Sequence, residues 1–515
     1  MTLLQKTKEI VSSSIKSVIF IDEKALENYE KKSVGYIPEQ ELSIILSNNF
    51  KKKGISLSVH KFRQTDLINE NSLDYLFKRR DLVLLDWKLD GENGEEFSLN
   101  LLSKIVNQKH IHFCSIYTSE GNFDQIINNI ITYFSGYNSE YYNNITNNLS
   151  DYRDGNESLF TQISFDDAKI NRKLFNSFKD IDADLPNTIN ELTGITNFGE
   201  ALIQINYAFS NYHKSELNNT LPTHINRINK SLNINNTIIT LIPKTENSAV
   251  KILKKLHYQI YKSENCFTQL LGLDMQNAYS DNSSFIDENL LNTKIDTMMF
   301  HRKQLSNKNS DIEFNNFIKS LLLEHSQQTL NDSTLKILEN SFLDRISKSK
   351  YNIKDEELAT LNTFYNGSFI KNKNKINFGD IFINESKKEY YLCITPLCDC
   401  LHPSNIKNNF FFVKGVLTTN IGEVIKKGDG GFKSFIDSKT CILWTIGEYI
   451  KPFQLHISNI LIIDLLINSS NILNSSLNPI PLKYIFSLKT SYAQRIANHA
   501  FAHPIRVGVD FVKKQ

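Results

Sequence analysis

Residues 81–94 read Asp-Leu-Val-Leu-Leu-Asp-Trp-Lys-Leu-Asp-Gly-Glu-Asn-Gly. An apolar run, Val83 to Leu85, delivers one carboxylate, Asp86, into a loop holding two glycines, Gly91 and Gly94. A buried parallel strand presents an acid at its carboxyl end in this way, and open α/β sheets bind their ligands at that edge. Asp86 is therefore the candidate centre of a site.

Working outward, Ser17 to Ile21 is a second short apolar run, ended by Asp22 and Glu23. Leu42, Ile45, Leu46 and Phe50 recur at helical spacing after Pro38, and Gly54 stops that helix. Ile55 to Phe62 reads as a strand, Thr65 to Arg79 as a helix and Glu95 to Asn107 as a helix. Ile111 to Tyr117 is a strand closed by Thr118-Ser119, and Phe123 to Phe134 is an amphipathic helix. Strands alternating with helices at this rhythm imply a doubly wound parallel sheet with right-handed crossovers. Such a sheet needs a fifth strand, and none follows at once. Residues 136 to about 234 are polar, asparagine-rich and mostly helical in pattern, after which Thr237 to Lys244 and the helix Ser248 to Tyr261 supply the missing unit. Loop closure entropy grows only logarithmically with length, so a helical insertion at this point is physically admissible.

Residues 262 to about 350 are helical in pattern, and from Ile376 the periodicity changes to short strands: Ile381 to Asn384, Tyr390 to Thr395, Phe410 to Leu417, Cys441 to Tyr449 and Leu461 to Ile467. A small β-barrel or sandwich is expected there, followed by a helix from Ser491 to about Phe501. The chain thus divides into an α/β domain (1–135 and 236–262), a helical insertion (136–235), a helical region (263–355) and a mostly-β domain with a terminal helix (356–515).

Asp22, Glu23 and Asp86 sit at the ends of two strands that become spatial neighbours in a parallel sheet of this kind. Oxygen clusters of this type suit Mg²⁺, which takes one or two carboxylates with waters and phosphate oxygens. Crowded carboxylates repel and raise each other's pKa, so a metal or a lysine must balance them. Lys244, at the end of the proposed fifth strand, is the candidate, and Thr118 can donate its hydroxyl to a phosphoryl oxygen. Positioning and charge neutralisation are most of what phosphoryl transfer asks of a protein.

These residues resemble the receiver domain of two-component response regulators. Asp86 to Gly94 resembles that family's phospho-acceptor loop, with the glycine eight residues after the aspartate; Asp22-Glu23 resembles its acidic pair, Thr118 its switch hydroxyl and Lys244 its lysine. The resemblance covers residues 15–135 and, more loosely, 236–262. It implies a flavodoxin-like fold, phosphorylation of Asp86 by a histidine-kinase-like partner protein, Mg²⁺ dependence and a two-state switch read by an effector region. Three positions depart from the family. Asp90 stands where a proline is usual, Pro243 precedes the lysine instead of following it, and Leu241 replaces an aromatic three residues before it. The pattern is most similar to a divergent receiver group associated with bacterial conflict and phage-defence gene sets.

Two other readings stay open. One is a pseudo-receiver that serves as a protein-interaction scaffold without phosphotransfer. The other is an effector enzyme or zinc protein built on Cys393, Cys398, Asp399, Cys400 and His402, with His499 and His503 four residues apart on the terminal helix. Asn377 to Phe382 followed by Leu392 to Asp399 resembles a small SH3-like barrel of bacterial proteins, which implies an interaction or effector module. The six cysteines show no disulfide-framework spacing, and the longest apolar run, Ile460 to Ile467, is interrupted by Asp464 and too short to span a bilayer. A cytoplasmic protein away from membranes is expected, with homo-oligomers allowed. A net charge of +2 and the absence of a helix-turn-helix give nucleic acid no support, and Lys51 to Lys53 and Lys371 to Lys375 read as solvated faces.

Overall fold

The computed structural model describes residues 2–27, 30, 37–91, 94–134, 139–161, 168–196, 198–209, 225–228, 231–263, 265–306, 311–370, 373–427, 432–444, 450–471 and 479–501. The chain forms two compact units, one of Met1–Arg302 with Asn315–Ser347, the other of Lys303–Phe314 with Lys348–Gln515.

The first unit is built on a sheet whose strands are β1 (Ser17–Asp22), β2 (Ser56–Lys61), β3 (Leu82–Leu85), β4 (His112–Thr118), β5 (Ile225–Ile228), β6 (Ser231–Ile234) and β7 (Thr237–Pro243), in the order β2-β1-β3-β4-β7-β6-β5. The first five in that order are parallel, and β6 and β5 add an antiparallel hairpin beyond β7. β3 and β4 are buried at every position, because helices cover both faces. The apolar runs of the sequence are these central strands.

The expected displaced strand is β7, paired with β4 from His112↔Thr237 to Thr118↔Pro243. Three local features differ from the pattern in the sequence. The described residues of 136–235 form helices between Ser139 and Ala208 and end in the β5–β6 hairpin. The helix expected over 65–79 is a short 3-10 turn, Gln64–Leu67, followed by a helix Glu70–Phe77 whose cap is Asn69, which accepts from the backbone N–H groups of Asn71 and Ser72. An N-terminal helix, Leu3–Ser14, closed by a Thr2–Gln5 capping box, packs on the helices Ala249–Lys262 and Cys266–Asn282. Its Lys6 is buried and paired with Glu339 at 2.8 Å.

The helical insertion shares its core with the sheet. Tyr142, Ile145, Leu149, Phe160, Phe178, Ile189 and Leu202 belong to one apolar cluster with Val83, Leu85, Cys114 and Ile116 of the sheet. Helix Phe198–Ala208 packs on helix Phe123–Phe134, which directly follows the β4 loop.

In the second unit the strands are β8 (Gly367–Ser368), β9 (Asp380–Asn384), β10 (Glu389–Cys393), β11 (Asn409–Thr418), β12 (Lys433–Phe435), β13 (Cys441–Leu443), β14 (Pro452–Ile457), β15 (Leu466–Asn471) and β16 (Ile480–Leu488). β9, β16, β15, β14, β11 and β10 pair antiparallel in a ring that closes through β10–β11, so the unit is a barrel. One cluster draws residues from all six strands of the ring, among them Phe382, Tyr391, Phe412, Leu455, Ile467 and Tyr484, and is the barrel's filled interior. The outer faces of β9, β10, β11 and β16 pack under the terminal helix Thr490–Ala500. The strand expected over 461–467 begins only at Leu466, because Asp464 and Leu465 take left-handed backbone angles, φ +49° and +65°. Residues 445–449 of the strand expected over 441–449 lie outside the described residues.

A core shared between sheet and insertion makes their unfolding one event. Phe178→Ala removes a fully buried ring and is expected to cost about 3–5 kcal/mol. In a Trp444→Phe background the urea midpoint of the Trp87 fluorescence transition falls accordingly. A Trp87 transition that does not move shows an insertion that folds apart from the sheet.

Candidate functional site

Parallel pairing sets the site. Ile21 lies opposite Leu85, Leu85 opposite Ile116, and Thr118 opposite Pro243, so the residues at the carboxyl ends of β1, β3, β4 and β7 meet at one edge. Those residues are Asp22 and Glu23, Asp86, Thr118 and Lys244. The order β2-β1-β3-β4-β7 puts the turning point of the sheet between β1 and β3, where open α/β sheets bind ligands.

The Lys244 ammonium lies 2.7 Å from Asp22 Oδ2 and 2.9 Å from Asp86 Oδ2. The backbone occupies the other oxygens: Lys24 N–H donates to Asp22 Oδ1 at 2.8 Å, and Trp87 N–H donates to Asp86 Oδ1 at 2.9 Å. The Ser98 hydroxyl donates to the Asp86 carbonyl at 2.8 Å and ties the acceptor loop to the following helix, Gly94–Ile105. Thr118 is buried, and its Oγ1 accepts from Glu120 N–H at 3.1 Å. Lys244 N–H donates to the Thr118 carbonyl at 2.8 Å, the last rung of the β4–β7 ladder.

Three carboxylates face one ammonium. Burial pushes Asp86 up from 3.8 to about 7; Lys244 opposes that shift, while Asp22 and Glu23 add to it. Burial works against the Lys244 charge, but the attraction and hydrogen bonds of Asp22 and Asp86 outweigh it and raise the lysine's pKa. One carboxylate oxygen from each of Asp22, Glu23 and Asp86 lies within 4.8 Å of the others. Glu23 Oε2 is buried without a hydrogen-bond partner. A stranded buried acceptor is costly, and a hard divalent cation is the partner that an all-oxygen set suits. The residues therefore fit Mg²⁺.

The loop geometry accounts for one departure from the family pattern. Asp90 has φ +61°, an angle proline cannot adopt, and Gly91 follows at φ +95°. Asp90 Oδ2 accepts from Gln64 Nε2 at 2.7 Å. Gly94 closes the loop against the backbone of Leu89: a Cβ there would stand 2.4 Å from Leu89 N.

Residues 14–171 match a family model described as a response receiver domain. This part of the chain is a receiver domain. The match takes in β1 to β4 with Asp22, Glu23, Asp86 and Thr118, and it ends in the insertion, before β7 and Lys244. The chain is also similar to Reticulocyte-binding protein homolog 1 of Plasmodium falciparum (isolate 3D7), at 29% identity over 234 residues. The match covers 39% of this chain and 8% of that protein. No solved structure matches. The match supports a response-regulator-type signalling role, and among the described residues no helix is long and apolar enough to cross a membrane.

Among the described residues, the cysteine constellation of the barrel is not assembled as a ligand set. Among the described residues, the one group of acids, histidines and cysteines close enough to hold a metal is Asp22, Glu23 and Asp86. Cys398 is exposed, while Cys393 and Cys400 are buried. The Cys400 thiol donates to the Thr395 carbonyl at 3.3 Å, and a hydrogen bond with Cys393, then burial, push its pKa far up, against a thiolate. The His499 ring packs on Phe432, and His503 lies outside the described residues.

One residue of the site has only a faint signal in the sequence. Tyr117 is fully buried, and its hydroxyl donates to the carbonyls of Lys244, at 3.3 Å, and Glu246, at 3.1 Å. A polar-tipped aromatic directly before Thr118, in a fully buried strand, is its one trace.

The raised Asp86 pKa has a consequence for stability. The folded chain holds that proton more tightly than the unfolded chain, so stability falls as pH rises from about 4 to about 7, by roughly 4 kcal/mol at most. In chelator, the thermal midpoint is expected to drop between pH 5 and pH 8. Asp86→Asn flattens that profile, and millimolar Mg²⁺ raises the midpoint more at pH 8 than at pH 5. A pH profile identical in the wild type and Asp86→Asn contradicts this electrostatic account.

Proposed function

We propose that the chain is a phospho-accepting switch: Asp86 takes a phosphoryl group from a histidine-kinase-like partner protein, with Mg²⁺ held by Asp22, Glu23 and Asp86. The observation that carries this reading is the Lys244 ammonium bridging Asp22 and Asp86 beside the unpartnered Glu23 oxygen. An Asp86 carboxylate oxygen attacks the phosphorus of the donor. The new P–O bond forms as the bond from phosphorus to the donor's nitrogen breaks, and the donor group departs with that electron pair and takes up a proton. Asp22, Glu23 and Asp86 would hold a cation, which would supply charge neutralisation for the phosphoryl group.

Each residue has a separate task. Asp86 must be ionised to attack; Lys244 favours that form against burial, and a bound cation would add to its effect. Lys244 then faces the added negative charge. Thr118 accepts from Glu120 N–H, which leaves its own hydroxyl proton to donate to a phosphoryl oxygen. The added charge of about −2 needs local compensation. The β4 loop supplies it by moving Thr118 and Glu120, and the helix after that loop packs on the insertion. The insertion is thus the first element to read the switch, and the barrel unit is its effector module.

The test uses the full chain with acetyl phosphate and Mg²⁺, read by intact mass. One phosphoryl group is expected on the wild type, none on Asp86→Asn and none in chelator. A wild type that takes no phosphoryl group, with a function that survives Asp86→Asn, makes the domain a scaffold instead. Thr118→Ala removes one donor and is expected to slow phosphorylation by about 10–100-fold while leaving the Mg²⁺ dissociation constant unchanged. An unaltered rate removes Thr118 from the chemistry.

A further inference from the structure

We propose that Tyr117 is a positioning residue for the phosphoryl-accepting site, its hydroxyl holding the loop that presents Lys244 to Asp22 and Asp86. This role rests on the phospho-acceptor reading of Asp86 and adds a residue that stands outside the acidic cluster, the hydroxyl and the lysine.

β7 ends at Pro243, and the chain turns at once, with Glu246 N–H donating to the Pro243 carbonyl at 2.9 Å. Past the last ladder bond, from Lys244 N–H to Thr118, the backbone of this turn has left the sheet. Its Lys244 and Glu246 carbonyls converge on the Tyr117 hydroxyl, which shares its one proton between them. Partly buried carbonyls beyond a strand end have lost their ladder donors, and a buried tyrosine hydroxyl needs an acceptor, so each side satisfies the other.

Tyr117 is a firm anchor. Its ring meets Phe20 edge-on, with centroids 5.9 Å apart and planes at 82°, within a cluster that includes Ile242 and Ala249. Phe20 lies two residues before Asp22 on β1. One ring therefore touches the strand that carries the metal-side acid and the loop that carries the ammonium. A lysine has a long, flexible stem and a strongly hydrated head. Its ammonium stays in a half-closed pocket between two carboxylates only while its backbone is fixed there; a loosened loop lets it swing into water. The alternative is a tyrosine that only packs, and Tyr117→Phe separates the two cases because it keeps the ring and removes the hydroxyl.

Two measurements on the full chain decide the matter, after matching thermal midpoints show that the variant is folded. The first is acetylation of Lys244 by N-hydroxysuccinimidyl acetate, followed by peptide mass spectrometry, with buried Lys6 as the internal control. This readout needs neither phosphoryl transfer nor a metal. In Tyr117→Phe, Lys244 is expected to react several-fold faster, with Lys6 unchanged; an unchanged Lys244 rate overturns the proposal. The second is phosphorylation by acetyl phosphate in Tyr117→Phe, Lys244→Gln and the double variant. Tyr117→Phe is expected to be about 10-fold slower, and the double variant no slower than Lys244→Gln alone. Losses that multiply show that Tyr117 does not act through Lys244 and overturn the proposal. A wild type that accepts no phosphoryl group overturns the phospho-acceptor reading, and the acetylation rates still decide whether Tyr117 holds Lys244.

Discussion

The Lys244 ammonium, set between Asp22 and Asp86, is the interaction on which the first unit depends. Asp22 is fully buried and Asp86 nearly so. Two such carboxylates with Glu23 beside them repel each other unless a cation stands among them. Removing one partner from a buried ionic group leaves the rest uncompensated, at a cost of several kcal/mol. The lysine therefore belongs both to the stability of the sheet edge and to the chemistry proposed for it. Its reach is short, so β7 must pair with β4 along its full length and end where β4 ends.

The insertion makes that requirement demanding. About a hundred residues separate helix Phe123–Phe134 from β7, and they must return the chain to the amino end of the sheet in register. The entropy of so long a closure is modest. The shared apolar cluster and the β5–β6 hairpin, which extends the sheet beyond β7, hold the return in place. The insertion is fused to the sheet's core, with a helix against the one that follows Thr118.

The parts that were legible in the sequence share one physical cause. β3, β4 and β7 are buried on both faces, so they read as mostly apolar runs, and the polar residues that follow or end them stand out: Asp86, Thr118 and Lys244. Asp22 and Glu23 close β1 in the same manner. What was illegible lacks that contrast. The β5–β6 hairpin lies in an asparagine-rich stretch with little periodicity. Tyr117 looks like one more core residue, because the partners of its hydroxyl are backbone carbonyls more than a hundred positions away. Closure of the barrel rests on the β10–β11 pairing, which no local pattern announces. The cysteine run drew attention by its composition, but burial and the Cys393–Cys400 contact account for two of its thiols.

The most direct test of the central claim is a crystal structure of the full chain with Mg²⁺ and beryllofluoride. The account predicts the cation on oxygens of Asp22, Glu23 and Asp86, beryllofluoride on an Asp86 oxygen, and Lys244 and Thr118 on its fluorines. A beryllofluoride-free Asp86, or a Lys244 side chain turned out to solvent, contradicts it.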